Sequence, residues 1–185
     1  MVRVTAGRAK GARLRSARRG DVRPTSGMVK EALFNTLAPH LADARVLDLF
    51  AGTGGLGIEA LSRGAAEAVF VEKDARMAAV IGENLAAAHM KERAKVRRAN
   101  ALSEIPLLAG AGRQFDLIVL DPPYGHGLPE KSLRLVAASG LLAPAGIAVA
   151  EGHWRDDPGE VAGLRRTRTA RYGETGLWFY ERSDA

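Results

Sequence analysis

The chain has no cysteine among its 185 residues. That excludes a disulfide framework and any thiolate metal site. Histidine is scarce too. His40, His89, His126 and His153 are scattered without ligand spacing, so no metal site is expected. No stretch approaches the roughly 18 apolar residues of a membrane-spanning helix. The opening Met1-Val2-Arg3-Val4-Thr5 lacks the apolar segment of a secretion signal. Internal repeats and low-complexity linkers are also missing. These absences leave a soluble protein, expected in the cytoplasm and with no membrane partner. The length favours one domain with an appendage, and 46% hydrophobic residues suffice for a sizeable core.

Charge is present but unevenly placed. The net charge is +6, and the first 30 residues hold nine basic side chains against one acid, Asp21. The other 155 residues are slightly acidic. The whole basic excess therefore sits at the N-terminus, which is the electrostatic footprint of a polyanion binder. These cations alternate with Val4, Ala6, Ala12, Leu14 and Ala17. The alternation predicts a basic β-hairpin around the Gly7 to Gly11 region. The expected division is a basic N-terminal β-hairpin extension at residues 1–22 and a main domain at 23–185.

Beyond the hairpin, Ser26 can cap a helix carrying Met28, Val29, Ala32, Leu33 and Leu37 at helical spacing. Strands are then predicted at 45–50, 67–72, 94–99, 114–121 and 146–152. Helices are predicted at 56–64, 74–90, around 103–109 and at 129–139. Such alternation predicts a parallel sheet with helices on both faces. Two strand-like runs around Gly173-Glu174-Thr175-Gly176 predict a hairpin that finishes the sheet antiparallel.

The first of these strands runs into "DLFAGTGGLGIEAL". Gly52-Thr53-Gly54-Gly55-Leu56-Gly57 is a G-x-G-x-x-G sequence placed between a strand and a helix. Glycines there let the backbone turn tightly and approach a ligand, and the helix offers free N–H groups. Glu72, at the end of the next strand, is placed to accept hydrogen bonds from ribose hydroxyls. Asp48 lies beside the loop. A carboxylate there suits a cationic ligand and is awkward beside pyrophosphate, which favours S-adenosylmethionine (SAM) over a nicotinamide dinucleotide. Asp48 could equally serve as a buried acceptor for loop N–H groups.

The strand at 114–121 ends in Asp121-Pro122-Pro123-Tyr124. In an open α/β sheet that edge is where ligands sit. The prolines force extended geometry and donate no N–H, so the Asp121 carboxylate and the Pro122 carbonyl form a rigid cluster of acceptors. Tyr124 adds a flat face. Acceptors beside a stacking surface suit an exocyclic amino group on a base. Hydrogen bonds from that amine to Asp121 and the Pro122 carbonyl would restore electron density to nitrogen and aim its lone pair at a methyl donor about 3 Å away.

"DPPY" resembles motif IV of amino-group methyltransferases. With "RPTSGMVKEALFNTLAP", "LDLFAGTGGLGIEALSRGA", "FVEKD", "ENL" and "DPPYGHG", nearly the whole chain resembles the RsmD family, which methylates N2 of one guanine in 16S ribosomal RNA. The resemblance implies a class I SAM-dependent methyltransferase fold: Rossmann-like, with a seven-stranded, mostly parallel sheet and an antiparallel last strand. It implies SAM as cofactor, bound by Asp48, Gly52 and Gly54 at the methionine end, by Glu72 at the ribose and by Asn100 and Ala101 at the adenine, with Ala51 and Lys73 also in the cofactor site. Asp121, Pro122 and Tyr124 would be catalytic. Arg3, Arg8, Lys10, Arg13, Arg23 and Thr25 would meet the 16S RNA, free or within the assembling 30S subunit. Arg165, Arg166, Arg168 and Arg171 are expected to grip further phosphates. The family often carries Asp-Arg where this chain has Gly27-Met28, so any contact made there is absent. Two alternatives remain. One is a DNA adenine-N6 methyltransferase, for which 185 residues leave no room for a target-reading domain. The other is a non-catalytic RNA-binding protein of the same fold. A protein glutamine methyltransferase is disfavoured because those enzymes resemble "NPPY".

Overall fold

A computed structural model describes residues 2–16 and 27–183. Two short strands, β1 (Val2–Arg3) and β2 (Arg13–Leu14), pair antiparallel. The main body follows as α1 (Gly27–Leu37), β3 (Arg45–Leu49), α2 (Gly55–Ser62), β4 (Glu67–Glu72), α3 (Ala75–Ala87), β5 (Ala94–Arg98), α4 (Ala101–Gly110), β6 (Phe115–Leu120), α5 (Leu128–Ser139), β7 (Leu142–His153), β8 (Leu164–Tyr172) and β9 (Thr175–Arg182). The proposed capping residue Ser26 lies outside the described residues.

The seven main strands form one sheet in the order β5-β4-β3-β6-β7-β9-β8. β3 pairs parallel with β4 and β6, β4 with β5, and β6 with β7. β9 runs antiparallel to both its neighbours, as the terminal hairpin predicts. The inner strands read as largely apolar runs, broken by Asp48 in β3 and Asp116 in β6, because both of their faces are covered. Val46, Phe70, Leu117, Val119 and Phe179 pack beneath α1, α2 and α3. Leu47, Leu49, Val69, Ile118 and Leu120 pack beneath α4 and α5. The edge strand β5 is mostly exposed and carries Lys95, Arg97 and Arg98, charges that discourage pairing with another chain.

Two boundaries depart from expectation. β7 begins at Leu142 rather than near 146, because the register shifts between Phe115↔Leu142 and Leu117↔Ile147. That irregularity is what admits Pro144, which has no N–H for a regular ladder. α4 begins at Ala101, capped by Asn100, whose side chain accepts the Leu102 N–H at 2.9 Å.

The basic hairpin is docked onto the body. Val4 and Leu14 are buried in the same cluster as α1 and α2. The carboxylate of Glu59, fully buried in α2, accepts from the Thr5 N–H, the Thr5 hydroxyl and the Ala6 N–H, and pairs with Lys30 at 2.9 Å and Arg63 at 2.9 Å. Burial alone would push Glu59 up. Hydrogen bonds from Thr5 and the Lys30 ammonium outweigh it and hold the group below its ordinary value. At the hairpin turn the Arg8 N–H donates to the Ser62 carbonyl at 2.8 Å.

Gly7 makes that approach possible. Its φ is +81°, and a Cβ there would stand 1.9 Å from the Ser62 carbonyl oxygen. Gly7→Ala should therefore undock the hairpin. Amide exchange at Thr5, Ala6, Arg8 and Ala9 should lose protection while β3, β4 and β6 stay protected. Unchanged protection at those four amides would contradict the docking.

Candidate active site

The sheet order reverses between β3 and β6: the chain builds β3, β4 and β5 in one direction and then returns to place β6 on the other side of β3. Helices on opposite faces leave a crevice at the carboxyl ends of these strands. A cleft of about 620 Å³ opens there, within the range of small-molecule sites. Among the residues lining it are Gly52, Glu72, Lys73, Asn100, Ala101, Asp121, Pro122 and Tyr124, all named from the sequence.

Glu72 organises this cleft. One carboxylate oxygen accepts the Gly52 N–H at 2.8 Å, and the other accepts the Asp74 N–H at 2.8 Å. It thus binds the glycine loop to the turn that opens α3, with lone pairs left for a ligand's hydroxyls. Asp74 caps α3 by accepting the Arg76 and Met77 N–H groups, and these bonds hold its carboxyl below the ordinary value. Leu49 pairs with Leu120, and the Asp121 N–H reaches the Leu49 carbonyl at 3.4 Å, so Asp121 emerges beside Phe50. Pro122 is buried and Pro123 exposed; Tyr124 is 38% exposed. An acid, two prolines and a partly exposed aromatic ring therefore line one mouth.

Three residues expected in the cofactor site do not line the cleft: Asp48, Ala51 and Gly54. Asp48 is 1% exposed, and its carboxylate accepts the Gly57 N–H at 2.8 Å. The reason is the two-residue period of a strand: Val46 and Asp48 face α2, while Leu47 and Leu49 face the other layer. Ala51 is also buried, its N–H donated to Val71. Gly54 caps α2 in the left-handed region, where a Cβ would crowd Ile81 at 3.2 Å and Ile58 at 3.4 Å. These three shape the loop from behind. Burial pushes Asp48 up to about 7. The Gly57 N–H opposes this, and the nearby charges of Asp121 and Glu72 add to it.

Sequence reasoning missed several residues of the cleft. Phe50 lines it with φ at +62°, a left-handed conformation costly for a side chain of that size. No pattern of residue types announces it. Met77 and Leu102 are contributed by the first turns of α3 and α4. His153 ends β7, the neighbour of β6, and its ring meets Tyr124 edge-on with centroids 6.1 Å apart. Strand order would have revealed it. Next to it, the Arg171 guanidinium lies 3.8 Å over Trp154 and Arg155 lies 5.3 Å over the same ring.

The predicted basic residues divide. Arg3, Arg8, Lys10 and Arg13 are all exposed on the hairpin. Arg8 and Lys10, however, sit at the far ends of α2 and α3, with His89 and Arg93, rather than at the cleft. Arg23 and Thr25 lie outside the described residues. Of the later arginines, Arg165 pairs with Glu181 and Arg166 with Asp157, so those two do not present free cations. Arg168 stays exposed, and Arg171 is committed to Trp154 and the Gly173 carbonyl.

Comparison with known proteins gives one consistent result. A protein-family profile described as "Conserved hypothetical protein 95" matches residues 2–181. YlbH of Bacillus subtilis (strain 168) is 40% identical, over 98% of this chain and 99% of its own. Ribosomal RNA small subunit methyltransferase D of Escherichia coli (strain K12) is 38% identical over 81% of this chain and 74% of its own. The solved structure of yhhF from Escherichia coli superposes with a TM-score of 0.85 at 32% identity, covering 100% of this chain and 99% of that one.

The state of Asp48 has a measurable consequence. Its folded value lies above that of an unfolded aspartate, so the folded chain holds the extra proton between about pH 4 and about pH 7. Stability should fall as pH rises through that window. Asp48→Asn, which keeps an acceptor for Gly57, should flatten this part of the profile in thermal melts. An unchanged slope would show that Asp48 is already ionised throughout.

Proposed function

The chain belongs to the Conserved hypothetical protein 95 family, that of the RsmD ribosomal RNA methyltransferases, and from that premise we propose that it transfers a methyl group from SAM to the exocyclic N2 of a guanine in 16S ribosomal RNA. The observation that carries this reading is Asp121. It stands at the switch point of the sheet, lining the cleft that Glu72 organises, and is followed there by two prolines and a partly exposed tyrosine.

The residues fit SAM. Glu72 has acceptors for the ribose hydroxyls. Val71, Ala99 and Leu102 offer apolar walls for the adenine beside Asn100 and Ala101. Gly52 and Lys73 border the same space, while Asp48, Ala51 and Gly54 support the loop from behind, so that their contribution to binding is through its shape. When bound, SAM supplies an electrophilic methyl group on a sulfonium.

The chain's own groups prepare the nucleophile. The Asp121 carboxylate accepts one N–H of the guanine amino group, and the Pro122 carbonyl accepts the other. Both bonds oppose delocalisation of the nitrogen lone pair into the ring and fix its direction. Tyr124 stacks on the base, held by the edge-on contact with His153. As the new bond forms, the amine becomes acidic and Asp121 is placed to take its proton.

RNA would reach this mouth along a basic surface. Residues 1–22 act in this reading as the RNA-binding extension of a catalytic body at 23–185. Arg3, Arg8, Lys10 and Arg13 contact phosphates, and Arg23 and Thr25 belong to the segment that joins them to α1. Trp154 with Arg171 forms a cationic aromatic group beside His153, one ring removed from Tyr124, of the kind on which unpaired nucleotides stack. The assembling 30S subunit is the proposed setting.

Asp121→Ala separates the two halves of this reading. Methyl transfer from labelled SAM to small-subunit RNA should drop at least about 100-fold, while SAM affinity by calorimetry should stay near that of the unaltered chain. Full turnover in the variant would remove Asp121 from the chemistry.

A further inference from the structure

The stretch Glu83-Asn84-Leu85 lies in the middle of α3 and touches neither the cleft nor the base-binding mouth. Yet Asn84 is 1% exposed, a polar side chain in the core between α3 and the hairpin. Its amide has three partners. Oδ1 accepts the Arg15 N–H at 2.7 Å. Nδ2 donates to the Arg15 carbonyl at 3.0 Å and to the Thr53 carbonyl at 2.8 Å. Both amide hydrogens are used, and the oxygen faces a donor, so the orientation is unique. A flipped amide would set its hydrogens against an N–H and its oxygen against two carbonyls.

The two ends of this connection matter. Arg15 follows β2 and closes the basic hairpin. Thr53 is the middle of the glycine loop, between Gly52, held by Glu72, and Gly54, whose N–H donates to Ala51 at 2.7 Å. Asn84 adds a hold on the loop from α3 to those that Val71 and Glu72 supply from β4. Removing it takes from the half-buried Thr53 carbonyl its donor on α3, and polar groups left unsatisfied away from water are costly.

We propose that Asn84 is a positioning residue that latches the end of the basic hairpin to the cofactor loop, so that the loop holds its SAM-binding shape only while the hairpin is docked. The proposal rests on the reading that SAM occupies the cleft. It makes the two sites one thermodynamic unit: a polyanion that orders the hairpin tightens SAM binding, and SAM in turn steadies the hairpin, by the same factor.

The latch can be cut from either side in the full-length chain. Arg15→Pro removes the N–H that Asn84 accepts, at an exposed position that follows an extended residue. Arg15→Ala keeps that N–H and loses only an exposed ion pair with Glu83, so it is the control. Asn84→Asp keeps the acceptor and loses both donors. Calorimetric titration with SAM should show Arg15→Pro and Asn84→Asp weakened by roughly 5-fold or more, with Arg15→Ala within about twofold of the unaltered chain. The KM for SAM should rise by a similar factor, and kcat at saturating SAM should be retained. A merely structural role would lower melting temperature without this selective rise. SAM affinity unchanged in Arg15→Pro and in Asn84→Asp would overturn the latch alone. An unaltered chain that binds no SAM would overturn the functional reading beneath it.

Discussion

Asp48, Glu72 and Asp121 stand at the carboxyl ends of three neighbouring parallel strands, and the rest of the cleft is arranged around compensating them. Like charges brought together in a partly desolvated place repel, and each acid is managed differently. Asp48 faces α2, accepts the Gly57 N–H and is pushed up to about 7. Glu72 spends its oxygens on two backbone N–H groups and so ties the glycine loop to α3. Asp121, only partly buried, is the one presented at the mouth. A cationic ligand completes this arrangement where an anionic one would aggravate it. That is the physical link between the parallel sheet and the choice of SAM.

A second constraint joins the basic N-terminus to this centre. A hairpin of two-residue strands cannot stand alone. It is held by the buried carboxylate of Glu59, which Lys30 and Arg63 neutralise, and by the Asn84 amide. The breadth of the basic surface follows from that docking. Arg8 and Lys10 are carried to the far ends of α2 and α3, so a polyanion touching both them and the cleft must extend along the body. A folded RNA meets that demand more readily than a single nucleotide.

Much of this could be read in the residues. Alternating strands and helices, the glycine loop, Glu72 and the Asp121-Pro122-Pro123-Tyr124 turn are local signals, each carried by a few adjacent residues. They led to the sheet, its antiparallel finish and the edge at which the cleft opens. What escaped depends on facing and on distance. The sequence leaves Asp48 as a ligand-binding acid or a buried acceptor for the loop, and it is strand period that turns it toward α2 and the Gly57 N–H. His153 reaches Tyr124 only because β7 pairs with β6. Phe50 owes its place to a backbone conformation that no residue pattern predicts. Asn84 connects positions 69 and 31 residues away, and a sequence shows no such partners. The ion pairs of Arg165 with Glu181 and of Arg166 with Asp157 likewise depend on the folded chain.

Whether this cleft holds the amino group of a guanine is decided by the identity of the methylated nucleoside. Small-subunit RNA or partly assembled subunits from a strain lacking the enzyme would be incubated with the chain and labelled SAM, digested to nucleosides and separated. The account predicts that the label co-migrates with N2-methylguanosine. Label in N6-methyladenosine, or in protein instead of RNA, would contradict it.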